Sequence, residues 1–193
     1  MGASSVVVAI QARMGSSRLP GKVMMDLCGR PLLERVLEAV EGPWRRIVLT
    51  STSSADNPLA AWCRERGIEV QRGPLEDVLA RYASVAEKLK PSCLVRVCAD
   101  APFLEASWVA AAARLLEPVF IPGALHAGSW EVWEEANRSP EPEDWLHAGY
   151  YWFEKNVRHL HRVPPGYFTV NTQEDLDRAR ELFRHRSNRT PNA

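Results

Sequence analysis

Apolar runs rich in β-branched residues alternate with segments of helical period along most of the chain. Residues 6–12 form an almost continuous apolar run, which is typical of a strand buried on both faces of a sheet. Further strands are predicted at residues 46–50, 68–71, 94–98 and 119–121, with helices at 31–42, 59–66, 75–89 and 106–116. This alternation predicts an α/β fold with a parallel sheet covered by helices on both faces.

The alternation stops near residue 122 and resumes close to the carboxyl terminus. Residues 122–155 are rich in aromatic side chains, and we interpret them as an inserted lid, hairpin or interface element within a single domain of residues 1–185. A strand is predicted at residues 167–170. A final helix follows it, because Thr172 and Asp175 have the spacing of a capping box. Residues 186–193 are expected to form a flexible tail.

Composition narrows the class of protein. The 193 residues carry 24 basic and 24 acidic side chains, so a general surface attraction for nucleic acid or for an acidic membrane is not expected. No apolar run approaches the roughly 18 residues of a membrane span, and no secretory signal is visible. The four cysteines lack a C-x-x-C pair and are expected to be reduced thiols of a cytoplasmic protein.

The loop after the first strand carries the chemistry-bearing residues. It contains Arg13, Arg18 and Lys22 with no acidic residue among them, together with glycines and serines. Backbone N–H groups, hydroxyls and converging positive charges are what a triphosphate or pyrophosphate requires. The loop is not a Walker A motif, because five residues separate Gly15 from Gly21 and a valine stands where the magnesium-binding Ser or Thr belongs.

Four strings of this chain resemble those of the cytidylyltransferase family, and within it the spore coat polysaccharide biosynthesis protein F group. The first string is Gln-Ala-Arg-Met-Gly-Ser-Ser-Arg-Leu-Pro-Gly-Lys at residues 11–22. The second is Arg-Gly-Pro-Leu-Glu-Asp-Val-Leu-Ala-Arg-Tyr at 72–82, and the third is Val-Arg-Val-Cys-Ala-Asp-Ala-Pro at 95–102. The fourth is Thr-Val-Asn-Thr-Gln-Glu-Asp-Leu at 169–176.

The resemblance implies a three-layer nucleotidyltransferase fold with a mostly parallel central sheet. It also implies transfer of CMP from CTP to a sugar acid or related small acceptor, with Mg²⁺ present and pyrophosphate leaving. Arg13, Arg18 and Lys22 are then the catalytic residues, because they neutralise the departing pyrophosphate. The implied nucleotide-binding set is Ala12, Arg13, Gly15, Ser16, Ser17, Arg18, Lys22, Arg81 and Asp100. The implied metal ligands are Asp100 and Asn171.

The chain departs from the family pattern in the metal and acceptor regions. Asn171 stands where the family usually has a second metal-binding aspartate, and Ser129 replaces another aspartate in mid-chain. Ala99 replaces the glycine before Asp100. The chain is also shorter than typical members around residues 122–150, where the acceptor is expected to bind.

Three hypotheses for the function remain open. The first is a cytidylyltransferase that acts in polysaccharide biosynthesis. The second is a catalytically silent nucleotide-binding or assembly protein on the same fold, and the third is a glycosyltransferase-like enzyme. The tryptophan-rich segment is a candidate surface for a homodimer, and the second hypothesis predicts that a partner binds there.

Overall fold

A computed structural model describes residues 5–115, 117–121, 124–139, 141, 147–157, 159–160 and 167–187. In this part of the chain, one seven-stranded sheet has the strand order β3-β2-β1-β4-β6-β5-β7. The strands are β1 (Val6–Gln11), β2 (Arg45–Ser51), β3 (Glu69–Gly73), β4 (Cys93–Cys98), β5 (Val119–Ile121), β6 (Leu125–Gly128) and β7 (His159–Leu160). Only β6 is antiparallel to its neighbours, so the predicted mostly parallel α/β sheet is confirmed.

Seven α-helices connect and cover the strands in the described residues. They are α1 (Leu32–Ala39), α2 (Asn57–Glu65), α3 (Val78–Leu89), α4 (Ala106–Arg114), α5 (Trp130–Ala136), α6 (Tyr150–Asn156) and α7 (Gln173–Ser187). Helices α1, α2 and α4 pack on one face of the sheet, and α3, α5 and α6 pack on the other. The result is the expected three-layer arrangement, in which apolar side chains on both faces of β1 and β4 are buried.

Local capping groups set where the helices near the site begin. The carboxylate of Asp77 accepts a hydrogen bond from the N–H of Ala80 at 2.8 Å, so α3 begins at Val78 and not at residue 75. The predicted capping box is present at α7, where Asp175 accepts from the N–H of Thr172 at 2.9 Å and donates its own N–H to the Thr172 hydroxyl at 3.2 Å. Helix α7 extends to Ser187, two residues into the predicted tail, and residues 188–193 lie outside the described part.

Among the described aromatic residues of the segment at 122–155, Trp133 and Phe153 are buried in the core, and Trp130, Tyr150 and Trp152 pack against it. Strand β6 lies between β4 and β5, and Trp133 of α5 is fully buried. Its ring stacks on Tyr82 with centroids 4.9 Å apart, and its indole N–H donates to the Leu94 carbonyl at 3.0 Å. Burial of so large an apolar surface explains why α5 packs on α3 and does not present this tryptophan to a partner. A dimer through other residues of the segment stays a prediction.

The prediction of a strand at residues 167–170 is wrong. These residues have no regular secondary structure, and the N–H of Val170 makes one backbone hydrogen bond, to the Asp100 carbonyl at 2.8 Å. Aromatic contacts hold the segment instead, with Phe168 packed on Phe103 at 4.8 Å and Tyr167 on Trp108 at 5.4 Å between ring centroids. None of the described helices is both long and apolar enough to cross a lipid bilayer.

We expect the substitution Trp133→Ala to lower the free energy of unfolding by about 3–5 kcal/mol, because it removes a buried ring from the core. Urea unfolding followed by circular dichroism measures this change. The control is Tyr151→Ala, since Tyr151 is about half exposed and its loss should change the free energy by less than about 1 kcal/mol. Equal effects of the two substitutions would contradict the assignment of Trp133 to the core.

Candidate active site

The loop between β1 and residue 22 is folded by its own backbone. The carbonyl of Met14 accepts from the N–H groups of Ser16 and Gly21, at 2.9 and 2.8 Å. Gly21 has a φ of +72°, in the left-handed region that a residue without a Cβ adopts at low cost. The loop therefore closes on itself and returns the chain to the carboxyl end of β1, where Lys22 begins a short 3₁₀ turn.

A buried carboxylate anchors the start of this loop. Asp56, which precedes α2, accepts from the N–H of Met14 at 2.7 Å and from both the N–H and the hydroxyl of Ser51 at the end of β2. Burial opposes ionisation of Asp56, but these hydrogen bonds outweigh it and lower the pKa of its carboxyl. Sequence reasoning missed this residue. Its signal was an aspartate placed just after a strand end and directly before an Asn-Pro helix start.

The ammonium group of Lys22 joins three parts of the chain. Its Nζ lies 2.6 Å from Asp100 Oδ2, 2.8 Å from the Val170 carbonyl oxygen and 3.1 Å from Asn171 Oδ1. These three hydrogen bonds use all three N–H donors of the ammonium group. The Lys22 side chain is only 11% exposed. Lys22 therefore holds the segment before α7 against the end of β4.

Asn171 connects Lys22 to Arg18. Its amide oxygen accepts from Arg18 Nη2 at 2.8 Å as well as from Lys22, while its amide nitrogen donates to the Thr169 hydroxyl at 2.8 Å. The backbone N–H of Asn171 donates to Asp175 at 2.9 Å, and this bond is the main reason that the pKa of Asp175 is lowered. The amide orientation is thus determined at both ends, with the oxygen toward the cations.

These residues line one cleft of about 190 Å³ at the carboxyl ends of β1 and β4. Parallel sheets bind ligands at this edge, beyond the ends of their strands. The cleft brings together the predicted basic residues and one acid. Its lining residues are Gln11, Arg13, Ser16, Ser17, Arg18, Lys22, Val23, Cys98, Ala99, Asp100 and Asn171. Three cations facing a single carboxylate give the cleft a net positive charge, which suits a polyphosphate.

Three of the predicted nucleotide-binding residues lie outside the cleft lining. Ala12 is buried and its N–H donates to the Leu49 carbonyl at 2.9 Å, while Gly15 is exposed. Arg81 is buried inside the fold, where Nε and Nη2 each donate at 2.7 Å to the carbonyls of Pro74 and Leu75. The structure thus shows Arg81 holding the loop before α3, and contact of these three residues with a nucleotide stays a prediction.

A larger groove, of about 750 Å³, lies at the opposite edge of the sheet. It is lined partly by the half-buried rings of Trp44 and Trp62 and holds none of the predicted site residues. Arginines and glutamates line this groove in nearly equal numbers, so the groove lacks the excess positive charge that a polyphosphate needs. The smaller cleft is therefore the candidate active site.

A comparison with protein families matches residues 7–120 to a family described as cytidylyltransferase. The spore coat polysaccharide biosynthesis protein SpsF of Bacillus subtilis is 37% identical over 109 residues, which are 53% of this chain and 45% of that protein. A 3-deoxy-manno-octulosonate cytidylyltransferase of Colwellia psychrerythraea is 36% identical over 120 residues, which are 60% of this chain and 42% of that one. The chain thus spans about half the length of the curated relatives it matches.

Solved structures resemble this fold over nearly its whole length. A cytidylyltransferase from Leptospira borgpetersenii superimposes with a TM-score of 0.78 at 20% identity, covering 98% of this chain and 99% of that one. A CMP:2-keto-3-deoxy-manno-octonic acid synthetase, solved in complex with CTP, gives a TM-score of 0.72 at 18% identity and covers 95% of this chain and 100% of that one. At these identities the likeness shows a shared fold.

We expect the substitution Lys22→Met to lower the free energy of unfolding by about 2 kcal/mol, because it leaves Asp100 and the Val170 carbonyl without their donor. Arg18→Met is the matched control, since Arg18 is exposed and its bond to Asn171 is replaceable by water. Urea unfolding measures both variants. If Lys22→Met is as stable as Arg18→Met, Lys22 does not hold the carboxyl-terminal segment in place.

The substitution Asp56→Asn is expected to lower the free energy of unfolding by about 2 kcal/mol near neutral pH, because the hydrogen bonds from Met14 and Ser51 lose a charged acceptor. The folded-state pKa of Asp56 is below the ordinary value of 3.8, so its ionised form stabilises the fold above that value. The contribution disappears as the pH falls through the folded-state pKa.

Urea unfolding of wild type and Asp56→Asn between about pH 3 and pH 7 measures this dependence. The difference between them should shrink on acidification below about pH 4. The exposed Glu87→Gln, on α3, serves as a control that should change stability by less than about 0.5 kcal/mol. A difference that grows as the pH falls would contradict the anchoring role of the Asp56 carboxylate.

Proposed function

The chain belongs to the cytidylyltransferase family, and we propose that it transfers CMP from CTP to a sugar acid or related acceptor in polysaccharide biosynthesis. The observation that carries this proposal is the cleft in which Arg13, Arg18 and Lys22 converge with Asp100. The names of the relatives support the substrate class, because they include a spore coat polysaccharide biosynthesis protein and 3-deoxy-manno-octulosonate cytidylyltransferases.

In this reaction an oxygen of the acceptor attacks the α-phosphorus of CTP. A bond forms between that oxygen and the α-phosphorus, the bond from the α-phosphorus to the bridging oxygen breaks, and pyrophosphate leaves. The proton of an attacking hydroxyl is released to solvent. Negative charge grows on the departing group, so fixed positive charge beside it lowers the barrier. Arg13, Arg18 and Lys22 supply that charge, and the hydroxyls of Ser16 and Ser17 are further donors for the phosphates.

Two of the three cations are held in place before the nucleotide binds. Arg18 and Lys22 both donate to Asn171 Oδ1, at 2.8 and 3.1 Å, and Lys22 also contacts Asp100. Groups already oriented by the fold need less reorganisation when charge develops in the transition state. Binding of phosphates exchanges the contacts with Asn171 for contacts with phosphate oxygens, which carry more negative charge than an amide.

The donor set is compatible with Mg²⁺ through one carboxylate. Mg²⁺ commonly binds one or two carboxylates together with substrate phosphates and water, and Asp100 lies at the cleft edge with such an oxygen. No group of three or more His, Cys, Asp or Glu side chains suited to a metal occurs in the described residues. The ion supplies charge neutralisation at the phosphates when bound. Asn171 can join Asp100 as a neutral ligand once Arg18 and Lys22 turn to the phosphates.

Because Asn171 stands where the family usually has an aspartate, a second candidate function is the binding of CTP without catalysis. An amide is a weaker Mg²⁺ ligand than a carboxylate, and this one already accepts two hydrogen bonds from cations. A protein that binds CTP without releasing pyrophosphate would have this arrangement. Calorimetric titration with CTP, UTP, ATP and GTP, with and without Mg²⁺, followed by an assay for pyrophosphate with an acceptor panel, separates the two functions.

We expect Arg18→Ala to slow pyrophosphate release at least about 100-fold, because one preorganised donor to the leaving group is lost. The unfolding midpoint should hardly change, since Arg18 is exposed. Arg64→Ala is the matched control, an exposed arginine of α2 that does not line the cleft. Pyrophosphate release at the wild-type rate by Arg18→Ala would contradict the proposed site, and CTP binding with no turnover would favour the silent alternative.

A further inference from the structure

Buried polar atoms without partners are concentrated in one region of the molecule. Among the described residues, seven buried side-chain nitrogen or oxygen atoms have no hydrogen-bond partner, and six of them belong to one group of side chains. We call this group the Arg96 cluster. Its atoms are Gln11 Oε1, Arg81 Nη1, the Tyr82 hydroxyl, Arg96 Nε, and Nδ1 and Nε2 of His126. Native proteins satisfy nearly all buried polar groups, so such a concentration calls for an explanation.

The cluster lies on one face of the sheet beneath α3. Gln11 and Arg96 are two residues beyond Ala9 and Leu94, whose side chains pack in the core under that helix. The strand register sets Arg96 opposite both Ala9 of β1 and His126 of β6. Helix α3 covers this face with Arg81 and Tyr82, both almost completely buried.

The cluster is continuous with the wall of the phosphate cleft. Gln11 itself lines the cleft, and so does Cys98, its neighbour in the register of β1 and β4. Arg96 precedes Cys98 by two residues on the same face of β4, a step of about 7 Å along a strand. A molecule bound at the cluster would therefore lie beside the phosphates in the cleft.

The guanidinium of Arg96 is buried, and Asp100, the acid whose charge acts on it, is paired with Lys22 instead. Arg96 is only 9% exposed, and its side chain forms no ion pair in the described residues. Burial raises the pKa of the Tyr82 hydroxyl, which keeps this neighbour neutral. Burial, helped by the charge of Arg96, lowers the pKa of His126 well below its usual value, so its imidazole is neutral as well.

Other partly buried arginines of this chain do find acceptors. Arg72 donates to the carbonyls of Ser51 and Ser53 at 2.7 and 2.8 Å, and Arg46 donates to the Leu37 carbonyl at 2.7 Å. The Nε of Arg96, by contrast, is buried and has no hydrogen-bond partner. A buried guanidinium with no ion pair and an unbonded Nε is unfavourable for folding, which points to a ligand that pairs with it.

We propose that Arg96 binds the acidic group, a carboxylate or a phosphate, of the acceptor molecule. A guanidinium fork matches either anion with two parallel hydrogen bonds, and the neutral Tyr82 and His126 beside it can donate to the same group. Gln11 Oε1 is an acceptor for a hydroxyl of a polyhydroxylated molecule. The ring of His126 is fixed between aromatic neighbours, with centroids 4.8 Å from Phe120 and 5.2 Å from Phe153. The inference rests on the proposed transferase function and adds the recognition element for its second substrate.

The experiment is calorimetric titration of the full chain with three acidic sugars and one neutral ester, with and without CTP. The probes are 3-deoxy-manno-octulosonate, N-acetylneuraminate, the methyl ester of N-acetylneuraminate and mannose 6-phosphate. The proteins are wild type, Arg96→Met, Arg96→Lys and the matched control Arg64→Met, whose arginine is exposed on α2. Thermal unfolding of each protein is recorded in parallel.

We expect at least one acidic sugar to bind wild type and Arg64→Met, and to bind Arg96→Met about 10- to 100-fold more weakly, as the loss of charged hydrogen bonds predicts. The neutral ester should bind no more tightly to wild type than to Arg96→Met. Arg96→Lys should lie between the two, because it keeps the charge and loses the fork. Binding of the sugar carboxylates, or instead of mannose 6-phosphate, identifies which acidic group of the acceptor Arg96 binds.

Arg96→Met is also expected to unfold at or above the wild-type midpoint, because it removes an unpaired buried charge. A purely structural role would lower the midpoint, and that outcome would overturn the proposal. So would equal binding of acid and ester by wild type, undiminished acid binding by Arg96→Met, or the absence of binding by every acidic probe. Loss of CTP affinity in Arg96→Met would assign the cluster to the nucleotide instead.

The same titrations, together with the pyrophosphate assay described above, separate this inference from the function on which it rests. If wild type does not bind CTP but binds an acidic sugar through Arg96, the proposed transferase function fails while the anion site stands. If CTP binds and pyrophosphate is released with neutral acceptors as readily as with acidic ones, the function stands and the role of Arg96 falls.

Discussion

The ammonium group of Lys22 makes the contact on which the site depends. It joins the loop after β1 to Asp100, 78 residues away, and to Val170, 148 residues away along the chain. A positive charge shared between a carboxylate, a carbonyl and an amide is favourable only where these oxygens already converge. The parallel pairing of β1 with β4 provides that convergence, because it sets the end of one strand beside the end of the other. The contacts of Lys22 then hold the segment before α7, which no strand pairing secures in the described residues.

The same contact gives the cleft its chemical character. Lys22 and Arg18 are restrained by Asn171, so two cations point to one place before any ligand arrives. An aspartate at that position would pair with them as an ion and hold them more tightly against release to a phosphate. An amide satisfies the same donors at lower electrostatic cost. Under the proposed function, an amide at this position therefore favours transfer of the cations to a phosphate.

Stability and function are divided between two kinds of buried polar group. Asp56 is fully satisfied, by Met14 and Ser51, and so contributes order to the loop it anchors. Arg96 and its neighbours are left unsatisfied in a core that otherwise packs apolar side chains around Tyr82 and Trp133. Buried polar groups cost free energy when they lack partners, so their presence beside the cleft is consistent with a site whose partner is a ligand.

Local sequence determines the alternation of strands and helices, the capping box at Thr172 and Asp175, and the basic loop, because each depends on residues close together in the chain. A shared family pattern further indicated Asp100 and Asn171. Only the tertiary structure decided that Lys22 bonds to both, that Arg81 turns inward to the loop before α3, and that residues 167–170 are not a strand. It also decided that Asp56 anchors the loop and that Arg96 is buried without an ion pair in the described residues. These features depend on strand order and register, which place distant residues together and which no local spacing specifies.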